Sequence, residues 1–261
     1  MRKGGLVLLT NGCSFVWGDE LEGYDNDPPS HWPLTFTHQL AEQLGVPYMN
    51  LATCGACNQK IFRDTVDYLR TCDELPTHIV ILWSAWQREE VAENHPKEYD
   101  EQRKIQRWQC MTQISPSRLN NVKTELGEIL DQYYDYYDVT RSGIIRTLNY
   151  MTHMQWLCDM LGIKIIQGVF HKRMWSNLVS KLHKRYDTDY SGWRDWNDYV
   201  REQLDSLRDE CRVGMGRYID LYSLAQQNYT IKPFAHPDED AHAEYAELLK
   251  HIFDTQYGEK E

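Results

Sequence analysis

Short apolar runs alternate with amphipathic stretches along this chain, and each run ends in small or turn-forming residues. Leu6-Val7-Leu8-Leu9 is such a run, and it breaks at Gly12-Cys13-Ser14. A buried strand followed by a tight turn has this signature. After a polar, turn-rich loop over 19–30, positions 32–44 carry Leu34, Thr37, Leu40, Ala41 and Leu44 on one helical face, and Gly45 stands where a helix stops. A second strand is predicted over 46–51, and a helix over 58–72 with Ile61, Val66 and Leu69 inward. The run His78-Ile-Val-Ile-Leu-Trp83 is a third strand.

The alternation is then interrupted. Residues 90–140 are polar and tyrosine-rich, with a partly helical look, and read as an insertion at the C-terminal edge of the third strand. The pattern resumes with a helix over 143–161 and a fourth strand over 163–170. A second insertion, 171–196, is rich in Trp, Tyr, Arg and Lys. A helix over 198–211, a short fifth strand over 218–221, and a last helix over 243–253 complete the chain. Strand–helix alternation of this kind predicts right-handed crossovers and a mostly parallel sheet. The expectation is a single α/β domain spanning 1–261: a three-layer α/β/α, flavodoxin-like sandwich with a mostly parallel five-stranded sheet and two insertions.

Charge and composition narrow the function classes. Acidic residues number 39 against 28 basic, a net charge of −11. Affinity for nucleic acid comes from phosphate neutralisation, so none is expected as partner. No apolar run approaches the roughly 20 residues of a membrane span, and the four apolar residues after Met1-Arg2-Lys3-Gly4-Gly5 are too few for a signal peptide. A cytoplasmic protein is expected. Seven cysteines, an odd number, fit reduced thiols better than a disulfide framework. Cys54 and Cys57 form one CxxC without a second pair at zinc spacing, so no metal is expected, and a thiol redox role would require an accessible, low-pKa cysteine at a helix start.

Ser14 follows the first strand, at the sheet edge where open α/β folds bind ligands. It reads as a nucleophile or as a turn and cap residue. The small-residue loop Asn50-Leu-Ala-Thr-Cys-Gly-Ala-Cys-Asn58 can turn backbone N–H groups toward a ligand. Trp83, Ser84 and Arg88, at and beyond the end of the third strand, are candidates for a substrate pocket, with sheet-edge packing as an equal alternative.

Three motifs in order, Gly12-Cys13-Ser14-Phe15 with Gly18, Asn50-Leu51-Ala52 with Gly55 and Asn58, and His236-Pro237 with His242 before the last helix, resemble the SGNH/GDSL hydrolase family. They are most similar to its Gly-Cys-Ser-Phe members common in tailed bacteriophages, for which the compartment is the host cytoplasm or the virion. The resemblance implies ester or acyl hydrolysis without a cofactor. Ser14 takes the nucleophile's place and His236 the base's, with the Ser14 and Gly55 N–H groups and the Asn58 side chain as oxyanion donors.

Two departures stand out. The family's Gly-x-Asn-Asp turn after the third strand is replaced by Trp83-Ser84-Ala85-Trp86, and its acid three residues before the histidine by Pro233. An imidazole needs a partner to fix its tautomer. A backbone carbonyl is one candidate, and Glu239 with His242 are an auxiliary acid–x–x–His pair whose plain reading is a pair on the helix surface. The expected activity is a serine esterase or deacylase, acting on an O-acetylated saccharide, a lipid ester or a small acyl ester. The alternative is an inactive SGNH-like structural or binding protein, with the aromatic insertions meeting a protein partner or a second copy.

Overall fold

The computed structural model describes residues 7–26, 30–92, 98–100, 105–107, 111–114, 139–169, 232 and 236–257. In chain order they form β1 (Leu8–Asn11), α1 (Ser14–Trp17), α2 (Phe36–Leu44), β2 (Tyr48–Asn50), α3 (Asn58–Thr71) and β3 (His78–Trp83). Four short strands follow, β4 (Glu89–Ala92), β5 (Glu98–Asp100), β6 (Ile105–Arg107) and β7 (Met111–Ile114). The chain then runs through α4 (Val139–Leu161), β8 (Lys164–Val169) and α5 (Glu239–Tyr257). The second insertion, the 198–211 helix, the 218–221 strand and Pro233 lie outside the described residues.

The main sheet has the order β2-β1-β3-β8, and every pairing in it is parallel. Strands β1 and β3 are buried along their whole length, as in a sheet covered on both faces. Successive strand residues point to opposite faces, and two neighbours in β1 show which helices cover which face. The Thr10 hydroxyl meets that of Thr37 on α2 at 2.9 Å. The Asn11 amide donates to the Ile61 carbonyl and the Thr65 hydroxyl of α3, at 3.0 and 2.9 Å. On the α2 side α5 packs against α2, with Phe253 edge-on to His78 at 4.9 Å. On the α3 side Gln167 of β8 bonds the Met151 carbonyl of α4 at 3.1 Å. Helices on both faces of one parallel sheet make the expected α/β/α sandwich.

Several boundaries differ from the periodicity. The first long helix begins at Phe36, not Trp32, because Trp32–Leu34 is a separate 3₁₀ turn and Thr35 caps α2 by accepting the His38 N–H. On α3 the inward face carries Asp64, Thr65 and Tyr68 beside Ile61 and Leu69, while Val66 is only half-buried. The first insertion, expected to be partly helical, begins as paired strands: β4 with β7 and β5 with β6, both antiparallel. Glu90, at the start of β4, has a fully buried carboxylate held by Arg63 of α3 at 2.5 and 3.1 Å, and Glu89 pairs with Arg146 of α4. Two helices thus grip the root of the insertion.

Candidate active site

The carboxyl end of β1 is fixed by its last residue. Asn11, besides its bonds to α3, accepts the Gly12 N–H on its side-chain oxygen at 2.8 Å. Gly12 is constrained by space: a Cβ there would lie 2.3 Å from Val16 Cγ2 and 3.0 Å from the Leu82 carbonyl. Ser14 opens α1, one turn that Gly18 ends in the left-handed region (φ 85°), with its N–H on the Ser14 carbonyl at 2.9 Å. Buried on its other sides, Ser14 is 7% exposed.

His236 comes to this point from the far end of the chain. Asp238 caps α5, its carboxylate accepting the Ala241 N–H at 3.0 Å, and the Lys232 N–H closes the preceding loop onto the His236 carbonyl at 2.9 Å. The Phe15 ring stands 5.1 Å from the imidazole. Nε2 lies 2.8 Å from Ser14 Oγ, and Nδ1 lies 2.7 Å from a carboxylate oxygen of Glu20. A carboxylate only accepts, so Nδ1 carries the proton and Nε2 is left to accept from the serine hydroxyl. That is the tautomer a general base requires. Asp19 adds a second carboxylate oxygen, 3.7 Å from Nε2.

Glu20 is the residue that sequence reasoning missed. It is the third residue of a turn closed by the Leu21 N–H on the Gly18 carbonyl at 3.3 Å, and its φ is 66°. No other non-glycine among the described residues has positive φ. Such a position ordinarily holds Gly or Asn, and for a longer side chain it costs about 1–2 kcal/mol. The available signal was an acidic pair, Asp19-Glu20, directly after the Gly18 stop.

The other candidates fall differently. Gly55 sits in the β2–α3 turn with φ 78°, and the Thr53 N–H ties that turn to the Gly12 carbonyl at 3.3 Å. Asn58 was assigned an oxyanion bond, but both its amide hydrogens are in use, on the Ser84 carbonyl (2.9 Å) and the Thr147 hydroxyl (2.8 Å), while its oxygen accepts the Ser84 N–H at 2.6 Å. It clamps the end of β3 to the body of α4. Trp83 belongs to the core rather than a pocket: it is fully buried, and its indole N–H is bonded to Gln167 at 3.1 Å. Ser84 is fully buried too, and Arg88 spans from its hydroxyl (2.9 Å) to the Ala56 carbonyl (3.4 Å).

The two auxiliary candidates bond to different partners, and the Glu239 charge only offsets part of the effect of burial on His242. His242 faces inward, stacks on Phe36 at 5.8 Å and accepts the Phe36 N–H on Nδ1 at 3.2 Å. Burial pushes this imidazole down to about 3, so it stays neutral. Glu239 instead accepts from the Glu22 N–H and from Lys232. Burial alone would raise its carboxyl, but its own N–H, Lys232 and the Glu22 N–H hold it below the usual range.

The thiol alternative meets the wrong environment. Cys57 is buried at the N-cap of α3, its sulfur accepting the Lys60 N–H, and burial pushes it up to about 12. Among the described residues no group of three or more His, Cys, Asp or Glu is arranged to hold a metal ion, and no helix is long and apolar enough to cross a membrane.

Comparison with known proteins gives structural likenesses only. No family model matches the chain, and no curated protein matches it. Among solved structures it is similar to a lipolytic G-D-S-L family member from Veillonella parvula, at 13% identity over 98% of this chain and 100% of that one, with a TM-score of 0.42. An extracellular lipase from Streptomyces rimosus matches at 11% identity over 95% and 99%, with a TM-score of 0.46. A carbohydrate esterase family 2 enzyme with a carbohydrate-binding domain, from Corynascus thermopiles (Myceliophthora fergusii), matches at 12% identity over 99% and 68%, with a TM-score of 0.48. The chemistry of this chain rests on its own side chains.

Proposed function

We propose that the chain is a serine esterase or deacylase in which Ser14 attacks an acyl ester and His236 carries the proton. The observation behind this reading is the 2.8 Å contact between Ser14 Oγ and His236 Nε2, residues 222 apart in sequence, at the carboxyl end of a central strand. A binding protein has no need of that contact. A nucleophile and its base must lie within about 2.6–3.2 Å.

As Oγ bonds to the acyl carbon, its proton passes to Nε2 and the carbonyl π pair moves onto oxygen. The Ser14 and Gly55 backbone N–H groups are the proposed donors for that oxyanion, each of a kind worth about 10²–10³ in rate. Collapse breaks the bond to the leaving alkoxide, which takes the Nε2 proton. Water, deprotonated by the same imidazole, then attacks the acyl carbon, and Ser14 Oγ takes back the Nε2 proton as the acid leaves. This proton traffic requires no cofactor.

The substrate class proposed is a neutral acyl ester, with the O-acetyl group of a saccharide as the first to try. Gly12-Cys13-Ser14-Phe15 is the ground for the narrower proposal of a phage-encoded type, acting in the host cytoplasm or carried in the virion.

Hydrolysis of p-nitrophenyl acetate tests the reading. Ser14→Ala and His236→Ala are each expected to lower kcat/KM by about 10³ or more while the folded signal persists. Activity equal to wild type in Ser14→Ala would sink it.

A further inference from the structure

The serine and histidine leave one requirement open, since Pro233 stands where an acid is looked for. We propose that Glu20, on the loop that follows the nucleophile, is the residue that orients His236, so that acid and nucleophile come from one continuous segment. This rests on the hydrolase reading above.

Three observations carry it. Glu20 Oε2 lies 2.7 Å from Nδ1, a short charge-assisted contact. The Glu20 side chain is 8% exposed, so little water competes for that bond. The backbone at Glu20 is held in a left-handed turn position where glycine is the comfortable choice. Strain of this sort persists where the side chain is needed and the surroundings over-determine it.

The loop is also gripped from outside. The Glu22 N–H bonds Glu239 at 3.1 Å, which ties the Glu20 loop to the helix that follows His236. Glu20 is a positioning residue: it touches the imidazole, not the substrate. By accepting the Nδ1 proton's hydrogen bond it keeps the Nε2 lone pair on the serine, and it stabilises the imidazolium once the serine proton has moved. Asp19 stands at 3.7 Å from Nε2, on the reacting edge, and cannot hold Nδ1.

The test is the rate of fluorophosphonate labelling against pH, with the adduct located by mass spectrometry, on the full chain. Glu20→Gln and Glu20→Gly are compared with wild type and with Asp19→Asn. Glu20→Gln is expected to label about 10²–10⁴ times more slowly. The rising limb of its pH profile should move to lower pH, because the imidazolium loses a carboxylate while Asp19 remains. Glu20→Gly relieves the turn, so it should label as slowly with a Tm close to or above wild type.

Wild type labelled at Ser14, with Glu20→Gln within threefold of it, would overturn this proposal and leave the hydrolase reading standing. A slower Glu20→Gln with an unmoved pH limb would also overturn it, since a structural loss behaves that way. Wild type left unlabelled at Ser14 would remove the hydrolase reading, and this proposal with it.

Discussion

Glu239 and Glu22 are joined across the site: the Glu239 carboxylate accepts the Glu22 N–H at 3.1 Å and also holds the Lys232 ammonium at 3.1–3.2 Å. One side chain thereby ties the loop behind Ser14 to both flanks of His236. Glu239→Gln keeps the shape and removes the charge. It is expected to slow esterase turnover about threefold to tenfold, with Tm lower by a few degrees, since a half-exposed ion pair contributes only about 0.2–1 kcal/mol. A folded-state carboxyl held below its ordinary value stabilises above the unfolded value and loses that contribution as pH falls through the folded one. Thermal unfolding of both proteins between pH 7 and 3 should therefore converge at the acid end.

His242 makes a second acid-sensitive contribution, of a different kind. Its folded value of about 3 lies below the ordinary 6.5. Neutral in the fold and protonated when unfolded, it stabilises fully above about pH 6.5 and progressively less as pH falls toward 3. His78, pushed by burial and by Lys164 to about 4, adds to the same limb. His242→Leu leaves the Phe36 N–H, at the start of α2, without its acceptor. The expected loss at pH 7 is about 1–3 kcal/mol, with a shallower fall of stability between pH 6.5 and 4 by denaturant titration.

Asn58 separates two roles that one substitution would otherwise confuse. An oxyanion donor lost to alanine costs about 10²–10³ in kcat with little change in stability. A clamp costs stability, here the three hydrogen bonds to Ser84 and Thr147. Asn58→Ala is expected to lower Tm by several degrees, and Thr147→Val to do part of the same. Esterase activity per folded molecule, measured well below Tm, should fall less than tenfold in either.

Gly143 is predicted to be the least replaceable glycine on α4's side of the site. A Cβ there would lie 2.0 Å from the Trp86 carbonyl, a backbone atom that cannot swing away. Gly45 has open space and only a left-handed φ of 67°. Gly143→Ala should cost at or above the upper end of about 1–3 kcal/mol, against about 1 kcal/mol for Gly45→Ala. Denaturant midpoints of the two variants give the comparison.

The layered α/β plan was legible because a buried central strand such as His78–Trp83 reads as a short apolar run between amphipathic stretches. The motifs that carry Ser14 and His236 were legible at the ends of such elements. Their partner was not. Glu20 meets His236 across 216 residues, and an acid was sought beside the histidine, where helical spacing offered Glu239 and His242. Burial decided His242: the periodicity of α5 turns it inward, whereas the plain reading of the motif was a surface pair. Trp83 and Asn58 were misassigned for a related reason. An indole or an amide near a sheet edge looks available in sequence, and only the neighbours, Gln167 and Ser84, show that its hydrogen bonds are spoken for.

The long span between Ser14 and His236 has a consequence for the order of folding. Closing a loop of this size carries a large entropic cost before any contact forms, and contacts so distant in sequence tend to form late. Trp83, by contrast, is buried by strands and helices drawn from much shorter separations. On refolding a variant that keeps Trp83 and has Phe at the other eight tryptophans, fluorescence should recover before labelling at Ser14 does, and simultaneous recovery of the two would contradict that order. A histidine brought to Ser14 from so far along the sequence makes labelling at that serine a report that the rest has already assembled.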